Sequence, residues 1–340
     1  MKFNHPKPIT LRYAPAILKC SSLKTLFMPS HKIIIDTDPG QDDAIAILLA
    51  LAAPEEIDLL GIVTVAGNVP LALTSRNALM LCELAKKPET KVFAGCSRPL
   101  VRPLVTAEHV HGKTGLDGAD LPEPTISLQK QHGVDWTIET LLAAEDNSVT
   151  ICCLAPLTNV AMAMVKAPEI LQKIKSIVLM GGGYFEGGNI TPTSEFNVYV
   201  DPHAANTVMK CGRPLVIMPL DVTHKALMQR EWLDALKALG TPVGDATYGM
   251  LSFYERFDVE KYGSSGGPLH DPTVIAYLLQ PELFEGRQVN VEVEINSELT
   301  MGMTVVDWWK VTDRAPNATY INQINADGFF ALILERFSRL

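Results

Sequence analysis

The sequence predicts an α/β protein of Rossmann-like architecture, with a largely parallel central sheet flanked by helices and a small antiparallel C-terminal addition. Three observations carry this reading. From His31 onward, short β-branched runs alternate with longer helical patterns, the rhythm of βαβ units. Polar clusters fall directly after the candidate strands, where open α/β sheets bind their ligands. Near the C-terminus, Val289, Val291, Val293 and Ile295 alternate with Asn290, Glu292 and Glu294, the period-2 pattern of a half-buried strand.

In chain order, strands are expected over Lys32 to Thr37, Ile57 to Val65, Lys91 to Ala94, Val149 to Leu154, Ser176 to Met180 and Leu215 to Met218. Helices are expected over Asp42 to Ala52, Leu71 to Ala85, Asp135 to Ala144, Thr158 to Val165, Pro202 to Lys210, Glu231 to Leu239 and Pro272 to Leu279. With no internal repeat and no linker rich in Gly, Ser and Pro, residues 31–340 read as one domain. Residues 1–30 differ. Lys2, Lys7, Arg12, Lys19 and Lys24 meet no acid there, no clean apolar core of a signal is present, and Met28 lies just before the first strand. A mobile tail or an over-extended start is expected rather than a targeting segment.

The composition, 47% apolar and 20% charged, excludes wholesale disorder and fibrous repeats. A formal net charge of −9 supplies no field to gather phosphate backbones, so nucleic acid is not an expected partner. The longest apolar run, Ala44 to Ala53, falls far short of the roughly 20 residues that cross a bilayer. Six cysteines without a C-x-x-C pair read as reduced packing residues, consistent with a cytoplasmic location.

The most informative segment follows Ile33, Ile34 and Ile35, where Asp36, Asp38, Asp42 and Asp43 crowd one strand end. Two or three acids there could tie down a turn and complement a helix N-terminus. Four like charges need a cation, and hard oxygen ligands suit Mg²⁺ or Ca²⁺ rather than Zn²⁺. Other clusters sit at strand ends too: Asn68; Pro156 to Asn159; and Gly181, Gly182 and Gly183, which allow a close backbone approach without forming a dinucleotide fingerprint. Further on come Asn189, Glu195, Phe196 and Asn197, then His270 and Asp271 at a helix start.

These residues resemble the nucleoside hydrolase family, Ca²⁺-holding enzymes that cleave the N-glycosidic bond of ribonucleosides. The likeness covers about residues 31–340. Its signature is D-x-D-P-G-x-D-D at Asp36 to Asp43, followed in order by V-A-G-N (Val65 to Asn68), H-G-x-T-G-L (His111 to Leu116), P-L-T-N (Pro156 to Asn159), V-L-M-G-G-G (Val178 to Gly183), E-F-N (Glu195 to Asn197) and H-D-P (His270 to Pro272). The resemblance implies that Asp38, Asp43, Asp271 and the carbonyl of Leu154 hold calcium, and that Asp38 is also the base toward the attacking water. It implies that Asp42, Asn68, Asn189, Glu195 and Asn197 bind the ribose beside Phe196, with Met180 lining the pocket, and that His270 assists departure of the base. It further implies a homodimer or homotetramer.

The chemistry agrees with that casting. Breaking a ribosyl C–N bond builds oxocarbenium character that facing carboxylates stabilise. The leaving base needs a proton or hydrogen bond, and a histidine with a pKa near its unperturbed value of about 6.5 can supply one. His111 together with His270 resembles the inosine-uridine and pyrimidine-preferring branch, whereas the purine-specific branch stacks the base on tryptophans; Trp136, Trp232, Trp308 and Trp309 lie outside the matched motifs. Tyr254, Asp258 and Tyr262 share one helical face on the segment that covers the base in this branch, with Asp258 expected to read the base. A haloacid dehalogenase-type Mg²⁺ phosphatase also opens with strand and D-x-D, but would want Thr or Val where Gly40 stands. The G-x-S-x-G string at Gly263 to Gly267 lacks the preceding buried strand of a serine hydrolase. A non-catalytic ribose-binding protein would bind nucleoside without releasing base.

Overall fold

The structure, a computed structural model, describes residues 30–263 and 265–340, so the expectation for the N-terminal tail lies outside the described residues. The chain runs β1 (His31–Thr37), α1 (Gln41–Leu51), β2 (Ile57–Thr64), α2 (Leu71–Leu84), β3 (Val92–Ala94), α3 (Glu108–His111), α4 (Gly133–Ala143) and β4 (Val149–Cys153). It continues through α5 (Thr158–Lys166), β5 (Ile174–Met180), α6 (Phe196–Val200), α7 (Pro202–Met209), β6 (Leu215–Met218), α8 (Leu220–Thr223), α9 (Arg230–Lys237) and α10 (Pro242–Tyr262). The last elements are α11 (Pro272–Leu279), β7 (Phe284–Val289), β8 (Val291–Val293), β9 (Thr304–Val306), β10 (Ala318–Ile324) and α12 (Ala326–Phe337).

The sheet order is β3-β2-β1-β4-β5-β6-β10-β7, with every neighbour parallel except β7, which runs antiparallel to β10. The order reverses between β1 and β4. That is the switch point where a crevice opens beyond the strand ends. Successive residues serve opposite faces: Ile33 and Ile35 enter one core while Ile34 enters the other, and Cys152 and Cys153 on β4 split in the same way. The cysteines expected to be reduced are free wherever they are described.

Helix α1 is buried along all of its length and packs against α2, α10 and α11. It starts at extended Gly40, whose N–H donates to Asp43 Oδ2 at 3.0 Å. The apolar run read from the sequence is therefore an internal helix, and among the described residues no helix is long and apolar enough to cross a membrane.

The expected C-terminal strand is divided. Val289 ends β7 in the main sheet, Asn290 turns the chain with its Nδ2 on the Ala315 carbonyl, and Val291 opens β8, which pairs antiparallel with β9 as a separate two-stranded sheet. Helix α10 continues through the backbone of Asp258 and Tyr262, as the Tyr254 spacing requires, and ends at Gly263 with φ 65°. The side chains of Asp258 and Tyr262 lie outside the described residues.

Candidate active site

The carboxyl ends of β1 and β4 meet at the switch point, where Leu154 N–H donates to the Asp36 carbonyl at 2.8 Å. A cavity of about 480 Å³ opens there. It gathers Asp42, Asn68, His111, Leu154, Met180, Asn189, Glu195, Phe196, Asn197, Tyr254, His270 and Asp271 from nine separate stretches of the chain. Asp38 and Asp43, both 0% exposed, stand behind this lining and bond to it through Asn68.

Hydrogen bonds fix the floor. Asp43 Oδ1 accepts from Thr37 Oγ1 (2.5 Å) and Asp38 N–H (3.3 Å), and its Oδ2 accepts from Gly40 N–H and Asn68 Nδ2 (both 3.0 Å). Asp38 Oδ2 accepts from the Asn68 N–H at 2.7 Å, with its carboxylate against Gly67 where a Cβ would collide. Asp36, counted among the four clustered acids but given no individual role, is held by Asn159 Nδ2 at 2.9 Å, and burial raises its pKa to about 7.

Carboxylate oxygens of Asp42, Asp43 and Asp271 lie within 4.8 Å of one another. Asp38, expected with Asp43 and Asp271 as a metal ligand, turns Oδ2 toward the Asn68 amide, and Asp42, expected at the ribose, is the acid that joins the other two in this closest trio. Asp38 Oδ1 and Asp42 Oδ1 are buried without a hydrogen-bond partner. Burial, then repulsion from Asp43, pushes Asp42 up to about 8 and Asp38 well above the usual carboxylate range. Burial and the same three neighbours raise Asp271 likewise. Among the described residues, no Lys or Arg lines the cavity. A buried acidic cluster with two unused oxygens and no Lys or Arg beside it can ionise fully only around a cation.

The ribose-binding candidates have part of their capacity used by protein. Asn68 spends both Nδ2 hydrogens on Asp38 O and Asp43 Oδ2, leaving Oδ1. Asn189 Oδ1 accepts from Phe196 N–H, leaving Nδ2. Asn197 Nδ2 donates to the Leu154 carbonyl at 2.9 Å, so that carbonyl keeps one lone pair. Glu195 accepts from the amides of Gly182, Asn197 and Val198, and burial raises its pKa to about 7. In the Gly181 to Gly183 backbone, Gly181 approaches the cavity-lining Glu195, Gly182 approaches Thr304 and Gly183 approaches the Gly187 carbonyl.

His270 Nδ1 lies 2.7 Å from Thr223 Oγ1. The expectation that it titrates near 6.5 needs correction, because burial first, then His224 and His111, holds its pKa well below that value. It is an uncharged imidazole at neutral pH. His111 stacks near Tyr254, with ring centroids 5.6 Å apart at 29°. None of the four tryptophans lines the cavity.

Sequence reasoning missed His109, Glu186, His224 and Phe257, which also line the cavity. His109 and Phe257 meet edge to face at 5.6 Å, and His224 Nδ1 lies 3.1 Å from Glu186 Oε2. The E-H-V-H run and the i, i+3 spacing of Tyr254 and Phe257 were the available signals.

Residues 33–331 match the family described as inosine-uridine preferring nucleoside hydrolase. The chain is 50% identical over 309 residues, 91% of this chain and 99% of the relative, to an uncharacterized protein of Schizosaccharomyces pombe. It is 45% identical over 89% of its length to the pyrimidine-specific ribonucleoside hydrolase RihA of Escherichia coli, covering 97% of that protein. A purine-preferring ribonucleoside hydrolase structure from Gardnerella vaginalis superposes with a TM-score of 0.84 at 30% identity, over 90% of this chain and 98% of that one. The chain belongs to the nucleoside hydrolase family. It is a ribonucleoside hydrolase, an enzyme that cleaves N-glycosidic bonds, in a family that depends on a metal.

Proposed function

We propose that this enzyme is a Ca²⁺-dependent ribonucleoside hydrolase that takes uridine and cytidine, with inosine as a further substrate, and releases ribose and free base in nucleoside salvage. The observation that carries the metal is the pair of partnerless buried oxygens, Asp38 Oδ1 and Asp42 Oδ1, at a cavity whose described lining holds no Lys or Arg. Asp38, Asp43, Asp271 and the Leu154 carbonyl would hold the ion, with Asp42 close beside them. This oxygen-only set fits Ca²⁺ and disfavours Zn²⁺. When bound, the ion neutralises the cluster, orients the ribose diol and makes a neighbouring water more acidic.

The chain's own groups do the rest. Asp38 offers Oδ1 as base toward the attacking water. Asp42, Asn68 Oδ1, Asn189 Nδ2, Glu195 and Asn197 hold the ribose hydroxyls, and Met180 packs beside them. Ionised carboxylates across from the sugar stabilise oxocarbenium character as the bond opens. His270 directs an imidazole N–H at the departing base. His111, Tyr254 and Phe257 enclose the base and exclude water that would compete for the cation-like sugar.

The pyrimidine preference draws support from the absence of tryptophan in the cavity lining and from the specificity named for the E. coli relative at 45% identity, against 30% for the purine-preferring one. A homodimer or homotetramer acting in the cytoplasm completes the reading. The test is a panel of uridine, cytidine, inosine, adenosine and guanosine assayed for free ribose, with metal analysis of untreated protein. Uridine and cytidine are expected to lead, with calcium near one equivalent per chain. Guanosine leading, zinc at one equivalent, or full activity after chelation would overturn the assignment.

A further inference from the structure

Gln41 is the x of the D-P-G-x-D-D run, a position to which neither the sequence reading nor the catalytic casting gives a role. It is 0% exposed. Its Nε2 donates to two backbone carbonyls, His111 O at 2.9 Å and Asp117 O at 3.1 Å. The reverse amide orientation would set Oε1 against both carbonyl oxygens, so Oε1 must be the atom that faces His111 Nδ1 at 2.8 Å. An amide oxygen only accepts. Nδ1 therefore carries the proton, and a neutral imidazole protonated at Nδ1 is bare at Nε2.

Two further features hold this state. The His111 ring lies against Gly40, where any Cβ would collide with Nδ1 and Cε1, so the ring has a fixed seat. Turning it over would put a ring carbon against Oε1 and leave that buried oxygen without a donor. Burial, with His109 nearby, holds the His111 pKa down at about 3, so the ring does not gain a second proton near neutrality. His270 differs, because its Nδ1 faces a threonine hydroxyl that can give or accept the hydrogen bond.

We infer that Gln41 is a positioning residue that holds His111 as its Nδ1–H tautomer, making Nε2 a standing hydrogen-bond acceptor at the base end of the cavity. The inference rests on the nucleoside hydrolase reading for its consequence: the site selects bases that present an N–H or NH₂ to His111, such as the N3–H of uracil or the amino group of cytosine. A base with that donor methylated leaves the acceptor buried and unpaired, and is rejected.

The tautomer is read directly by long-range ¹H–¹⁵N correlation spectra of the whole enzyme carrying ¹⁵N-histidine, with His111 assigned from a His111→Asn sample. Wild type is expected to show the proton on Nδ1 and a bare Nε2, and Gln41→Leu to show a mixture or the opposite tautomer. In parallel, wild-type kcat/KM is expected to favour uridine over N3-methyluridine by roughly tenfold or more, and Gln41→Leu to narrow that ratio to within about twofold. A wild-type spectrum with the proton on Nε2 overturns the inference without any variant, and so does a Gln41→Leu ratio equal to wild type. Failure of wild type to release ribose from any nucleoside would instead sink the hydrolase reading, with the spectrum still deciding what Gln41 holds.

Discussion

Asp38 and Asp43 stand just beyond a central strand, 0% exposed: Asp43, in the first turn of a fully buried helix, accepts from the backbone amides of Asp38 and Gly40 in the preceding loop, and Asp38 accepts from the amide of Asn68 in the loop after the neighbouring strand. Tyr254 and Phe257 ride instead on α10, a helix that packs against α1 and α9 on one side and carries exposed Arg256, Val259 and Glu260 on the other. The first region is set by two cores at once, the second by one helix face. Chemistry common to every ribonucleoside belongs where the backbone cannot drift. Discrimination among bases belongs where a side chain can change without disturbing the sheet.

That contrast can be broken. The largest expected effect is at the floor: Asp38→Asn removes a base and a charge from the cluster and should lower kcat by roughly 10² to 10⁴, with loss of bound calcium. Retention of calcium with more than about a tenth of wild-type kcat would remove Asp38 from its role. His270→Ala should slow uridine by on the order of a hundredfold while sparing an activated nitrophenyl riboside, whose leaving group needs no proton. Equal losses on both would leave His270 as packing.

Chelation tests the floor without touching its side chains. At free Ca²⁺ near a hundred times Kd, the bound form gains about 2.7 kcal/mol, so removing the ion should lower Tm by roughly 5 °C. An unchanged melting curve would mean that the clustered carboxylates do not need a cation. At the wall, Phe257→Ala should raise KM by about tenfold or less and shift the uridine to inosine ratio, leaving kcat within about threefold. A kcat loss as large as that of Asp38→Asn would erase the distinction between the two regions.

The floor was legible because its acids arrive in one run directly after an apolar strand, a place the topology of parallel sheets marks for ligands. Spacing did not reveal the hydrogen bonding there: Asp38 turns Oδ2 toward the Asn68 amide, and Asp42 joins Asp43 and Asp271 in the closest trio. The wall was harder to see. Helix α10 carries Gly244 and Gly249 in its interior and lacks a clear apolar period, so only its Tyr254 face was anticipated. Strand β10 escaped notice because Asn322 and Gln323 interrupt its apolar pattern, and α3 is a single turn. His270 was misjudged because its pKa depends on burial and on two histidines distant in sequence.

The alternation along β1, with Ile33 and Ile35 in one core and Ile34 in the other, also limits how the chain can change its length. One residue inserted or deleted between Lys32 and Asp36 would send each isoleucine to the wrong face and rotate the acids away from the crevice. The turn that follows β9 has no such duty, with Trp309 70% and Val311 82% exposed. Homologous chains are expected to keep an invariant count of residues from the start of β1 to Asp43 and to collect their insertions around 309–314, where extra length adds only surface.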